Sequence, residues 1–103
     1  MHELSQNLND LTELVNYSAE NFQKKIIFEG ENKKTVMLAF SAGQGLPDHK
    51  TPKEALLVML EGVCEFNMFG FAQFLKAGEV IIIPAGEMHH LKAFSDFKML
   101  LIK

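Results

Sequence analysis

Three histidines stand where this chain could do chemistry: His49, in "GQGLPDHKTP", and the adjacent pair His89 and His90, which follow the corner "PAGEM". An imidazole can ligate a divalent ion, pass a proton near neutral pH, or simply hydrogen-bond. On a strand, successive side chains point to opposite faces. His89 and His90 therefore cannot serve the same interior site. If His89 points in, His90 points out, to an exposed face or a subunit contact. His49 is the residue that could meet His89. Cys64 is a possible soft ligand, although a lone cysteine on a strand reads more simply as a small buried side chain. No nucleophile triad, phosphate-binding glycine loop or dinucleotide fingerprint is present, and the glycines of "GQG" at 43–45 read as loop corners.

The elements that must position these histidines are short strands. From residue 22 onward, "KKIIFEG", "TVMLAFS", "EALLVMLEG", "VCEFNMF", "AQFLKAGE", "VIIIP", "MHHLKAF" and "FKMLLIK" alternate or run apolar, and turn residues separate them every eight to twelve positions. That rhythm predicts an all-β sandwich or barrel rather than βαβ units. "AGQGLPDHKTP" reads as a Gly/Pro loop, and Gly70 as a hairpin turn. Gly86 is expected to take a positive φ at its corner. Residues 1–22 read as an arm, with Leu4, Leu8, Leu11, Leu14 and Val15 at helix-like spacing and Asn9 or Asp10 as a cap, leaving residues 23–103 as the barrel domain. Alternation from His49 and His89 sends Ala55, Leu57, Met59, Leu91 and Ala93 inward. On the other strands it favours Met37, Ala39, Cys64, Phe66, Met68, Phe97, Met99 and Leu101.

Composition bounds the function. One hundred and three residues make one domain, 48% hydrophobic and 22% charged, as folded proteins are. The net charge is −3 and all ten basic residues are lysines, scattered or in the doublets Lys24-Lys25 and Lys33-Lys34, which argues against nucleic acid as a partner. The N-terminus is polar and acidic, and no apolar run approaches membrane-span length; a soluble cytoplasmic protein is expected, with no membrane partner. A chain this short buries only roughly 60–65% of its unfolded surface. One cysteine allows no internal disulfide. "EALLVMLEG" and "FKMLLI" are apolar on both faces, so the expected partner is a second copy of the chain in a homodimer, with "KKIIF" contributing to the contact.

The turn segments carry a resemblance. Gly78, Pro84, Gly86 and His89 fall on the glycine, proline, glycine and histidine of the second signature segment of the cupin superfamily, with Ala93 at its asparagine position. Gly43, His49 and Gly62 fall on the first segment, with Thr51 and Ala55 where a histidine and a glutamate would stand. Over residues 35–102 the chain resembles small single-domain cupins, a group mostly without assigned activity. The resemblance implies an antiparallel jelly-roll barrel. In metal-bearing cupins three histidines and a glutamate hold a divalent ion. By that analogy His49 and His89 are an incomplete metal set, for Zn, Ni, Fe or Mn. Glu54 could complete it only if a bulge reversed its facing.

Two functions compete. The first is a binding module that takes a small, partly apolar ligand at the barrel mouth, with His49, His89, Thr51, Met59, Phe66 and Met99 as expected contacts. The second is a metal-dependent isomerase, dioxygenase or decarboxylase built on His49 and His89. Fold alone does not choose between them.

Overall fold

Among residues 9–103, which the computed structural model describes, nine strands form: β1 Gln23–Gly30, β2 Lys33–Phe40, β3 Gly45–His49, β4 Ala55–Glu61, β5 Val63–Met68, β6 Phe71–Lys76, β7 Val80–Ile83, β8 His89–Ala93 and β9 Phe97–Ile102. All pairings are antiparallel. They make two sheets, one ordered β1-β2-β9-β4-β7 and the other β3-β8-β5-β6. This is the jelly-roll arrangement that the turn rhythm and the signature residues predict. The corners are where the sequence places them. Phe69 and Gly70 both take positive φ, 58° and 78°, as a tight two-residue hairpin requires. Gly86 sits at φ 76°, in the left-handed region that glycine enters without strain.

One strand escapes the sequence reading. β3 lies inside the stretch that reads as a Gly/Pro loop. It is the edge of the smaller sheet and pairs only with β8, so Pro47 can sit in it without costing an interior ladder bond. Its register slips between Leu46, opposite Leu91, and His49, opposite His89. Three steps on β3 therefore match two on β8, and both Leu46 and His49 face the same side as their partners.

Between the sheets lies the main core. Phe40, Leu57, Met59, Cys64, Phe66, Phe97 and Met99 are wholly or almost wholly buried there. Phe40 is stacked between Phe22 and Phe97, at 4.9 and 4.8 Å between ring centroids. Burial pushes the Cys64 thiol up to about 12, helped by the Glu65 carboxylate and opposed by a backbone hydrogen bond at Lys92. Cys64 is thus a packed thiol with little thiolate at neutral pH, in the core and off the cavity wall that carries the histidines.

Met37 and Ala39 correct the expected facing of β2. Val36, Leu38 and Phe40 face the barrel, while Met37 and Ala39 belong to a second apolar cluster on the outer side with Val15 and Ile27. The cover is the chain's own arm. Asp10 caps a 3-10 turn at Leu11–Glu13, its carboxylate accepting from the Thr12 N–H. Leu11, Leu14 and Tyr17 then pack over the outer cluster beside Leu60 and Leu100. Polar contacts fasten the arm. The Tyr17 hydroxyl donates to Glu61 Oε2 at 2.6 Å, the buried Lys98 ammonium donates to the Thr12 carbonyl, and Ser41 Oγ and Gln44 Nε2 both donate to the Ser18 carbonyl. Burial and the Glu61 carboxylate hold the Tyr17 phenol well above its usual range, so it stays a neutral donor. Leu4 and Leu8, the first residues of the expected helical pattern, lie outside the described residues. No described helix is long and apolar enough to cross a membrane.

Candidate functional site

The β3 slip and the β7–β8 corner together build the site. Gly86 donates its N–H to the Thr51 carbonyl at 2.7 Å, which ties the corner after Pro84 to the segment after β3. His49 and His89 are then paired across β3 and β8, with ring centroids 4.2 Å apart and planes tilted by 57°. His89 is buried and lies against the Phe66 ring at 5.7 Å. Each histidine is oriented by its own backbone. His49 Nδ1 bonds the Pro47 carbonyl and His89 Nδ1 bonds the Glu87 carbonyl, both at 2.9 Å. A carbonyl only accepts, so each Nδ1 carries a proton. In the neutral ring this leaves a lone pair on each Nε2.

His90 points the other way, as strand alternation demands. Its Nδ1 meets Asp48 Oδ1 at 2.8 Å on the outer surface. Thr51 reaches the site's rim, with its hydroxyl donating to the Lys53 carbonyl at 2.9 Å. Glu54 is exposed, and no bulge brings it in.

The two rings open onto a cavity of about 830 Å³ between the sheets. Its apolar wall is Phe22, Ile26, Val36, Leu38, Leu46 and Leu101, and Thr51, Ala55 and Ile83 border the histidines. Met59, Phe66 and Met99, expected as ligand contacts, are not on this wall. They face inward as predicted, but the packing of the two sheets closes over them and they fill core. The wall residues missed were legible in part. Val36 and Leu38 needed only the opposite parity on β2, whereas Leu46 needed the β3 slip, which has no clear sequence signal.

Comparison with known proteins agrees. The family described as the cupin domain matches residues 36–103. The chain belongs to the cupin family. A solved RmlC-like cupin from Desulfovibrio desulfuricans is 34% identical, with 98% of this chain and 95% of that one covered and a TM-score of 0.79. A cupin superfamily protein from Desulfitobacterium hafniense superposes with a TM-score of 0.91 at 17% identity, covering 97% and 92%. A conserved protein of unknown function from Streptococcus pyogenes gives 0.88 at 24%, covering 96% and 87%. These last two are likenesses of fold alone. No curated protein matches the sequence.

Cupin metal chemistry requires more donors than this site gathers. Two Nε2 atoms are available, but Ala55 has no donor, Glu54 is turned to solvent, and no group of three His, Cys, Asp or Glu side chains converges among the described residues. A first-row ion held for catalysis takes at least three protein ligands. The residues present do not fit a tightly held metal.

Proposed function

We propose that this cupin is a binding module that takes a small, partly apolar ligand into the cavity between its sheets. The observation that carries the reading is the pair of oriented imidazoles: two Nε2 lone pairs beside the apolar part of the cavity wall, Val36, Leu38, Leu46 and Leu101. Such a wall with a few convergent polar groups suits a small molecule, and an O–H or N–H on the ligand would donate to the histidines. The probe is a matched pair, phenol and toluene, titrated into the labelled protein and followed by amide chemical shifts. Phenol is expected to bind several-fold tighter, with shifts centred on His49, His89, Val36 and Leu38. The difference should vanish in His49→Leu/His89→Leu. Shifts scattered over the surface, or none, would sink the reading. Protein purified without an affinity tag should also carry well under one divalent ion per chain. A stoichiometric ion lost in His49→Ala and His89→Ala would instead put the metal-dependent enzyme first.

The cytoplasm is the setting this reading assumes, with the single thiol packed in the core. A second copy of the chain is its proposed partner. The support is an apolar row left on the outer sheet face beyond the arm: Val80 and Ile82 on β7 and Ile102 on β9 are exposed beside Leu56 and Val58. A row without charge can pack on its own image about a two-fold axis. Light scattering at micromolar concentration should give a dimer mass, and Ile82→Lys should halve it. A monomer mass at every concentration would count against the pairing.

A further inference from the structure

The ligand's charge can be read from the wall facing the histidines. We infer that the cavity selects an anion: a small molecule with an apolar body and one acidic group, held by Lys24, Lys34 and Lys103. This rests on the cavity being a ligand site and adds the chemical class. Strand pairing fixes where these lysines face. Lys24 lies opposite Leu38, which is in the barrel core, and residues directly opposite share a face. Lys34 is two residues before Val36 on the same strand, so it faces inward with it. Lys103 is two residues past the cavity-lining Leu101, and its backbone exchanges hydrogen bonds with that of Lys34, at 2.6 and 2.9 Å. All three line the cavity. Lys25 also borders it, but its partner Met37 belongs to the outer cluster, so its side chain is not counted.

Among the side chains that line the cavity, one carboxylate, Glu29, opposite Lys34, stands against these three ammonium groups. No side-chain hydrogen bond or ion pair of Lys24, Lys34 or Lys103 occurs among the described residues. An excess of positive charge at this one cavity stands out in a chain whose net charge is −3. Low-dielectric walls concentrate such a field at the mouth of a cleft. The histidines are on β8 and β3 of one sheet, and the lysines are on β1, β2 and beyond β9 of the other. An acidic group on the lysine wall therefore leaves the apolar body to span the gap, with its hydrogen-bond donor toward the histidines.

The test uses two dyes that share an aromatic body and an N–H. 8-Anilinonaphthalene-1-sulfonate carries an anion, whereas N-phenyl-1-naphthylamine does not. The chain has no tryptophan, so Ile26→Trp places a reporter on the cavity wall, and energy transfer to the dye locates binding there. The sulfonate is expected to bind at least tenfold tighter than the neutral dye and to lose most of that advantage between low and high salt. In Lys34→Gln/Lys103→Gln the sulfonate should weaken by about tenfold while the neutral dye changes less than twofold. Equal binding of both dyes, indifferent to salt and to the lysines, overturns the anion inference and leaves the cavity reading standing. Failure of both dyes to bind near the reporter overturns the cavity reading itself. A carboxylate and a phosphate monoester of one aromatic body, run as competitors, then show which acid is preferred.

Discussion

Gly62→Ala should cost this protein ~3–5 kcal/mol, enough to leave a small domain largely unfolded. Gly62 joins β4 to β5 at φ 79°, a region where an L side chain is strained by itself. Contact adds more. A Cβ at this position would lie 1.9 Å from the Asp96 carbonyl oxygen and 2.7 Å from the Phe97 Cα. These are backbone atoms at the start of β9, which is paired on both sides, so they cannot yield as a flexible side chain would. Gly86→Ala is the internal control. Its φ is 76°, but nothing lies within 4 Å of the added methyl group, so only the backbone penalty of ~1 kcal/mol remains. Thermal melts followed by circular dichroism check both. For a domain of this size each kcal/mol lowers the melting temperature by about 4–8 °C. Equal shifts in the two variants would mean that the β9 backbone moves freely, contrary to the packing described.

Phe40→Ala is the second large loss, at ~3–5 kcal/mol. The ring is fully buried and is the middle of a three-ring stack with Phe22 and Phe97. Its removal forfeits transfer energy, opens a void between Phe22, just before β1, and Phe97 on β9, and ends two aromatic contacts worth ~0.5–1.5 kcal/mol each. Phe40→Leu keeps most of the volume and should cost about half as much. The urea midpoint should fall with an unchanged slope. A loss under ~1.5 kcal/mol for Phe40→Ala would show that the stack closes over the gap.

Where the sequence was readable, one physical requirement acted alone. Gly86 and Gly70 mark corners because only a positive φ turns the chain there, and His90 opposes His89 because a strand alternates. Reading failed where two requirements overlapped. On β2 both Val36-Leu38-Phe40 and Met37-Ala39 are apolar, because the barrel buries one row and the arm the other. Alternation cannot choose a face when both are covered. β3 was hidden because an edge strand tolerates the proline and glycine that elsewhere mean a loop. For the candidate site, the signature positions point to His49 and His89, which the fold pairs, and facing gives the direction of Met59, Phe66 and Met99. Depth decides whether an inward side chain lines a cavity or fills a core, and depth depends on how the two sheets close. The three lysines went unremarked because charge at a strand end ordinarily means solvent.

The order of the larger sheet also governs when this chain can fold. β9 is the last strand of the barrel to be synthesised, yet it lies in the middle, between β2 and β4. Until it emerges, the sheet is two separate pieces, β1-β2 and β4-β7. The arm also lacks part of its seat, since Lys98, which grips the Thr12 carbonyl across 86 residues of sequence, and Leu100 are on that strand. The nascent chain therefore carries its exposed apolar rows until the last strand of the barrel emerges, and the larger sheet closes only then. Barrels joined by such distant pairings fold slowly and are open to aggregation while they wait. Lys24, Lys25 and Glu29 along β1, one of the two edge strands of the larger sheet, discourage pairing with a neighbouring chain during that interval.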